Sequence, residues 1–192
     1  MKKLVLLAAI VPAILAISAC KINDKDNSEV KTDSLNTTTD TTTKLSISVE
    51  KADSQFTVDA AGSSIAEVAL GKLAQQKAID RRIKNFGTMM IKNHSKLKDS
   101  ITALAAIKKI AIPAVVDANV QKELADLAKK AGNDFDKAYI KYMIDNHKKD
   151  ISTFEAATKK CQDPDIKAFA VKTLPTLRTH LDAINAIKEG MN

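Results

Sequence analysis

The sequence predicts an all-α fold, a four-helix bundle that follows a flexible N-terminal segment. From about residue 53 onward the apolar residues recur with a helical period, glycines are few, and the alternation that is typical of strands is absent. Capping residues and prolines divide this stretch into four long segments and one short one. At 192 residues the chain is long enough for one domain with its own core plus a tail.

Residues 1–19 have the pattern of a bacterial lipoprotein signal peptide. A positively charged start precedes an apolar run, Leu4 to Ile17, which is shorter than the roughly 20 residues of a membrane-spanning helix. The run ends in ISAC, which resembles the lipobox, where the cysteine is lipidated and becomes the first mature residue. We therefore predict a lipid anchor at Cys20. The alternative is a soluble periplasmic protein with a free cysteine.

The segment 20–52 is predicted to be a disordered tether between this anchor and the folded domain. It is rich in Thr, Asp, Asn, Ser and Lys, so it has too little apolar surface to offset the entropy of ordering. Because Lys21 rather than Asp follows the cysteine, the outer membrane is the expected destination. The predicted location is thus the bacterial cell envelope, with the domain in the periplasm or at the surface.

The charge pattern does not indicate nucleic-acid binding. The formal net charge is +7, but the lysines are spread along helix faces among Asp and Glu, and there is no Trp to stack on bases. Apart from Cys20, the chain has one cysteine, Cys161, which has no partner for a disulfide or a cysteine metal cluster. The membrane, reached through the lipid anchor, is the one partner that the sequence predicts.

Two helical hairpins are expected within the domain, residues 53–192. The first consists of a helix from about Ser54 to Ala78 and a helix capped by Asp80 that runs to about Ile110. A long connection containing a short helix, about 117–131, leads to the second hairpin. Tight hairpins joined by a long crossover are the ferritin-like version of the four-helix bundle. The second hairpin has a helix with Asp134 as its cap that ends at Lys160, and a helix with Asp163 as its cap, Pro164 at its first position and its end at Glu189.

All three histidines fall on the predicted core faces of their helices. His94 lies in an unbroken run of residues spaced by four and three, and His147 and His180 lie in similar runs. Glu67 lies on a comparable but weaker line in the first helix. At a rise of about 1.5 Å per residue, all four lie near the middle of their helices. The doublet MIKNHSK and MIDNHKK is therefore interpreted as two similar core segments, each with an inward histidine.

Two explanations account for these inward polar groups, since an unpaired buried polar group costs a few kcal/mol. The first is a site for one transition metal ion (Zn, Fe, Cu or Mn), because imidazole and carboxylate ligands suit these metals. The second is a hydrogen-bonded network in the core. Convergence of the imidazoles within about 4–5 Å of one point would favour the metal, given Zn–N bonds of about 2.0–2.1 Å. The predicted ligands are His94, His147 and His180, with Glu67 either as the fourth ligand or as the support of a ligand. The residues expected around them are Asp150, Asn93 and Asn146, and Thr173 is a further hydrogen-bond partner in the network alternative.

Four motifs in order, EVALGKLAQQKA, IKNFGTMMIKNH, FDKAYIKYMIDNH and LPTLRTHL, resemble the bacterial envelope family known as domain of unknown function 4142. The resemblance covers about 55–188 and implies a ferritin-like bundle exported to the envelope, with no established activity. It carries over to the same four residues, Glu67 and the three histidines. The family usually has Asp before the first histidine, whereas this chain has Asn93, which weakens any scheme in which that carboxylate binds metal or orients His94.

The predicted function is an envelope lipoprotein that binds a transition metal through this cluster. The alternative is a non-catalytic structural or stress-related lipoprotein whose inward polar layer is a hydrogen-bonded network only. Ferritin-type iron oxidation is disfavoured because the chain lacks the Glu-x-x-His pairs of di-iron sites. Catalysis is a distant third hypothesis, since the sequence has no glycine-rich phosphate loop, no nucleophile elbow and no Cys–His pair at a suggestive spacing.

Overall fold

The computed structural model describes residues 49–191, which fold into five α-helices and contain no strand. The predictions for the signal peptide, for Cys20 and for nearly all of the tether lie outside these residues. No described helix combines the length and the apolar character needed to cross a membrane. The helices are α1 (Lys51–Lys77), α2 (Arg81–Lys108), α3 (Ala118–Ala128), α4 (Gly132–Lys160) and α5 (Pro164–Glu189).

The four long helices form the predicted bundle of two hairpins, α1–α2 and α4–α5. Between the hairpins, α1 packs on α4 and α2 packs on α5, while the short helix α3 lies against α1 and α4. The start of α4 contacts the turn between α1 and α2, so α3 and its flanking segments carry the chain back along the bundle. Neighbouring helices are therefore antiparallel and α2 is parallel to α4, the connectivity of a ferritin-like bundle.

Most of the predicted helix ends are confirmed, and one is wrong. Asp80, Asp117 and Asp163 each cap a helix by accepting backbone N–H bonds, as expected for N-cap carboxylates. The predicted cap Asp134 instead lies inside the first turn of α4, which begins two residues earlier at Gly132. Gly132 has a φ of +55°, a conformation that glycine adopts at little cost. At this position the carboxylate of Asp134 still interacts favourably with the helix dipole.

Two buried carboxylates connect the hairpins at opposite ends of the bundle. Asp136, in α4, accepts N–H bonds from Ile79 and Asp80 in the α1–α2 turn, one on each oxygen. Asp53, in α1, accepts N–H bonds from residues 162 and 163 in the α4–α5 turn, both on the same oxygen. Bonds to a charged acceptor are stronger than neutral ones, so these two contacts fix the hairpins against each other.

Asp136 accepts bonds on both of its carboxylate oxygens and Asp53 on only one, and this difference leads to a stability prediction. In Asp136→Asn one N–H of the turn must face an amide NH₂, because both oxygens are used in the native protein. We expect a loss of about 2 kcal/mol, the contribution typical of a hydrogen bond to a charged group. In the matched control Asp53→Asn, the remaining oxygen can still accept both bonds, so the loss should be below about 1 kcal/mol. Urea unfolding measures both, and equal losses would contradict this account.

The second hairpin repeats the first at a constant offset of 83 residues (136 − 53 and 163 − 80). Asp53 and Asp136 correspond in this repeat, as do the helix caps Asp80 and Asp163. The contacts correspond as well, because each buried aspartate binds the turn of the other hairpin. The bundle therefore has an approximate internal two-fold symmetry, a relation that the sequence analysis missed.

Small residues bring α1 and α2 into close contact beside the middle of the bundle. A β-carbon added to Gly71 would lie 2.7 Å from the carbonyl oxygen of Gly87, and one added to Gly87 would lie 2.7 Å from that of Gly71. Glycine is thus required at both positions by the approach of the two backbones. The contact lies one turn after Glu67 and two turns before His94, so it sets the spacing between the helices that carry these residues.

The apolar core is divided into two clusters. One, around Leu70, Phe86, Phe135 and Ile184, lies toward the α1–α2 turn, and the other, around Phe56, Ile101, Phe154 and Leu177, lies toward the α4–α5 turn. The three histidines and Glu67 are buried but belong to neither cluster. These four residues form the mid-bundle polar layer that the sequence predicted.

Candidate metal centre

Three helices each contribute one buried histidine to the polar layer. His94 comes from α2, His147 from α4 and His180 from α5, and none is more than 2% exposed. Their ring centroids are 5.2 to 6.1 Å apart. The predicted convergence of the three imidazoles is therefore present in the structure.

The nitrogen atoms of these rings are close enough to share one metal ion. One nitrogen from each histidine lies within 4.8 Å of the corresponding atoms of the other two. His147 Nε2 and His180 Nδ1 are 3.4 Å apart. Two nitrogens bound to a tetrahedral zinc at about 2.0–2.1 Å lie about 3.3–3.4 Å from each other. This pair already has the spacing of two ligands. A nitrogen of His94 lies within the 4.8 Å that bounds the whole set, so a small approach of its ring completes it.

The tautomer of His147 follows from its hydrogen bond. Its Nδ1 lies 2.9 Å from the carbonyl oxygen of Met143, one turn earlier in α4. A carbonyl oxygen only accepts, so Nδ1 carries the proton and donates it to Met143. Nε2 of the neutral ring then has a free lone pair, directed at His180. A backbone carbonyl that orients a ligand histidine in this way is common around protein metal sites.

His94 is the least satisfied member of the cluster. Among residues 49–191, neither of its ring nitrogens has a hydrogen-bond partner, although the residue is only 2% exposed. The ring meets His147 edge-on and is tilted against His180. A neutral imidazole buried without a partner for either nitrogen is costly. His94 therefore has a donor atom available for a ligand at the centre of the cluster.

Burial keeps all three imidazoles neutral near pH 7. Desolvation lowers the pKa of His147 to about 4 and, together with the neighbouring His147, that of His180 to about 3. Desolvation, reinforced by the other two histidines, also places the pKa of His94 well below its ordinary value. Only the neutral imidazole can bind a metal, so no proton has to be removed at neutral pH.

Glu67 lies beside the histidines rather than among the converging nitrogens. Its Oε1 is 3.7 Å from Nδ1 of His147, on the side of the ring that faces Met143 and not on the side that faces His180. Asn146 donates a hydrogen bond of 2.6 Å to the same oxygen. Of the two roles considered for Glu67, fourth ligand or support of a ligand, the geometry fits support.

The carboxyl group of Glu67 is protonated more readily than usual. Burial, and then the nearby charge of Asp150, raise its pKa to about 8 despite the hydrogen bond from Asn146. Its second oxygen has no partner within the described part of the chain, nor does the hydroxyl of Tyr139. The pKa of Tyr139 is raised well above its usual value by burial and by Glu67.

A second carboxylate connects Glu67 to a surface cavity. Asn146 lies between the two, 2.6 Å from Glu67 and 3.5 Å from Asp150, and Ser63 donates a 2.6 Å hydrogen bond to Asp150. Burial raises the pKa of Asp150 to about 6, although the Ser63 bond opposes this. Ser63, Asn146 and Asp150 line a cavity of about 450 Å³ that Pro113 and the start of α3 help to close.

The residues expected around the cluster are present, but mostly in other roles. Asn93 contacts His180, as expected. Asn146 and Asp150 have no hydrogen bond to a histidine in the described range, and Asn146 instead donates to both Glu67 and Asp150. Thr173 is buried, also without a hydrogen bond to a histidine in that range. The sequence analysis missed Ser63. The 83-residue repeat would have revealed it, because Ser63 and Glu67 correspond to Asn146 and Asp150 (146 − 63 and 150 − 67).

Comparisons with known proteins identify the fold and the family. The bundle is similar to the crystal structure of a DUF305 fragment from Deinococcus radiodurans, with a TM-score of 0.64, 10% identity, and coverage of 72% of this chain and 96% of that one. It is also similar to a DUF305 protein from Streptomyces coelicolor, with a TM-score of 0.59, 11% identity, and coverage of 71% and 91%. No curated protein sequence matches the chain. Residues 37–187 match a family model across most of the chain, and the protein therefore belongs to the family described as Domain of unknown function (DUF4142).

Proposed function

We propose that the domain binds one transition metal ion through His94, His147 and His180. The observation that carries the proposal is the convergence of three neutral imidazoles, with two nitrogens already 3.4 Å apart and a third ring whose nitrogens have no partner among the described residues. Three imidazoles at this spacing are a known ligand set for zinc, with the fourth position left to water or a small ligand.

The ligand atoms narrow the choice of metal. Imidazole nitrogen suits zinc, copper, iron and nickel, whereas manganese prefers oxygen ligands. Glu67, the nearest buried carboxylate, lies behind His147 and outside the set of converging nitrogens. Non-haem iron sites use two histidines and one carboxylate, so zinc and copper fit best among the four metals that the sequence suggested.

We propose further that this domain is held at the bacterial envelope by a lipid on Cys20. The support is the sequence alone: the ISAC motif after a short apolar run, and the polar stretch between the anchor and α1. On this proposal the domain works outside the cytoplasm, where it would bind metal that enters the envelope.

A hydrogen-bonded network is the second candidate, and one observation favours it. Asn93, His180, His147 and the carbonyl of Met143 form a continuous chain of polar contacts that needs no metal. His94 lies outside this chain. The hydrogen-bonded network explains the burial of two of the three histidines, whereas a bound metal ion explains the burial of all three.

Metal analysis of the full-length chain, purified without an affinity tag, tests the proposal. We expect close to one equivalent of metal, and after removal by a chelator we expect Zn²⁺ at one hundred times its Kd to add about 2.7 kcal/mol of stability. This corresponds to roughly 5–10 °C in Tm for a domain of this size. His147→Ala and His180→Ala should lose both the bound metal and the shift.

The matched control is Ile184→Ala, which removes a fully buried side chain one turn after His180 on the same helix. It should lower the initial Tm and keep the full response to zinc, since no ligand is changed. Absence of bound metal together with absence of any shift with Zn²⁺ or Cu²⁺ in the unmodified chain would leave the hydrogen-bonded network as the function of the layer.

A further inference from the structure

We propose that Asn93 is a positioning residue that selects the tautomer of His180, and that rotation of its side-chain amide switches the cluster between a closed and a metal-binding form. This inference rests on the proposed function. It concerns how the same site is regulated, and it is argued from the contacts at the two nitrogens of His180.

His180 has a polar partner on each side of its ring. Its Nε2 lies 2.9 Å from the amide of Asn93, and its Nδ1 lies 3.4 Å from Nε2 of His147. Nε2 of His147 carries no proton, because the proton of that ring is donated to the carbonyl of Met143. The proton of neutral His180 can therefore lie toward His147 or toward Asn93, but not on both nitrogens.

Without a metal, the proton of His180 belongs on Nδ1. If it were on Nε2, two bare nitrogens would face each other at 3.4 Å with no proton between them, which is repulsive. With the proton on Nδ1, His180 donates to His147, and Nε2 accepts a bond from the amide NH₂ of Asn93. This is the closed form, in which the proton of His180 occupies the space where the metal would bind.

With a metal, the same contacts must reverse. Nδ1 of His180 has to offer its lone pair to the ion, so the proton moves to Nε2 and needs an acceptor there. Rotation of the Asn93 amide by 180° brings its oxygen to the place of its nitrogen. The two ends of an amide have nearly the same size, so the 2.9 Å contact is kept. This is the open form.

Asn93 is suited to this switch by its chemistry and its place. An amide can donate or accept at the same position, which a carboxylate or an apolar side chain cannot do. Asn93 is half-buried, next to His94 on α2, and its contact to His180 joins α2 to α5. The residue lies at the edge of the buried layer and is partly exposed to solvent, so its amide is not enclosed on all sides by the core.

Two nearly isosteric substitutions separate the steps of the argument. Asn93→Leu removes the acceptor that the metal-bound tautomer needs, and loss of such a supporting contact lowers metal affinity about 10–100-fold. Asn93→Asp offers only acceptors, so it should hold the proton of His180 on Nε2 and bind zinc at least as tightly as the unmodified chain. Titration calorimetry with Zn²⁺ at pH 8 on the full chain measures both affinities.

The tautomer itself is measured by ¹H–¹⁵N NMR of the imidazoles in the metal-free protein. We expect His180 to carry its proton on Nδ1 in the unmodified chain and on Nε2 in Asn93→Asp and in the zinc complex. If the unmodified chain binds zinc but both variants bind it equally well, with the same tautomer throughout, the inference fails and the proposed function stands. If the unmodified chain binds no metal, both fail.

Discussion

Replacement of His94 by leucine is expected to stabilise the metal-free protein by about 1–3 kcal/mol, the cost of leaving a buried polar group without a partner. His94 is 2% exposed, and neither of its nitrogens has a partner in the described region. Leucine has a similar volume and adds no polar atom, so it should fit between the two apolar clusters. The same variant should lose the stabilisation by zinc, because one of three ligands is gone.

Urea unfolding in the presence of a chelator measures this gain, and His147→Leu is the control. That substitution also removes an imidazole, but it breaks the bond to Met143 and removes the acceptor that faces His180. We therefore expect it to lower stability by about 1–2 kcal/mol. If His94→Leu were as destabilising as His147→Leu, His94 would have a structural role, and the hydrogen-bonded network would be the better account of the layer.

A gain in stability on removal of a functional residue is a known signature of binding sites. Selection retains a group that destabilises the empty protein when that group is needed for the bound state. Among the three histidines the cost is concentrated in His94, since His147 and His180 are paired with each other and with Met143 and Asn93. The opposite behaviour of His94 and His147 thus separates a metal site from a purely structural layer.

The position of the histidines in the core could be predicted from the sequence because it depends on periodicity alone. A residue in a run spaced by four and three must face the bundle interior, and this placed His94, His147 and His180 correctly. Their common height followed from the similar lengths of the helices. The inward orientation of Glu67 was also correct, although its line in α1 was weaker.

The partners of these residues could not be predicted in the same way. Whether Asn146 contacts His147 or Glu67 depends on helix rotation and side-chain rotamers, which periodicity does not specify. Asp136 resembles an ordinary first-turn carboxylate in the sequence, yet it is buried against the turn of the other hairpin. Such contacts become apparent only when the packing of the two hairpins is known.

The internal repeat was hidden because its histidines have moved by one turn. At an offset of 83 residues, His94 corresponds to Leu177 and Leu97 corresponds to His180 (177 − 94 and 180 − 97). Positions three apart lie on the same face of a helix, so both arrangements direct one imidazole and one leucine inward. The layer is therefore asymmetric although the carboxylates Glu67 and Asp150 keep the symmetry.

The free energy of unfolding of the metal-free protein is expected to fall as the pH rises toward 8, and replacement of Glu67 by glutamine is expected to remove this loss. Burial raises the pKa of Glu67 from 4.5 to about 8, so the folded protein holds this proton between these two values while the unfolded chain releases it. Stability therefore falls as pH rises through this window. From pH 6 to 8.5 the loss amounts to about 2–3 kcal/mol at 1.36 kcal/mol per pKa unit.

Glutamine resembles the protonated form of Glu67, since it has the same shape and its oxygen can still accept the bond from Asn146. The free energy of unfolding, measured with a chelator at several pH values, should therefore decline less steeply in Glu67→Gln than in the unmodified chain. The two proteins should differ most above pH 8. Asp59→Asn is the control, because it removes an exposed carboxylate from the same helix without changing the buried layer.

On the acidic side the histidines contribute with the opposite sign, and Asp150, whose pKa burial raises to about 6, offsets part of their effect. Because burial lowers the pKa of His147 to about 4 and that of His180 to about 3, the unfolded chain binds protons below pH 6.5 that the folded protein does not. Stability from these groups is complete above that pH and is lost as the pH falls to about 4 for His147 and to about 3 for His180. Glu67→Gln should leave this acidic loss of stability in place. If the variant lost the pH dependence on both the acidic and the alkaline side, the carboxyl and imidazole groups would titrate as one unit rather than separately.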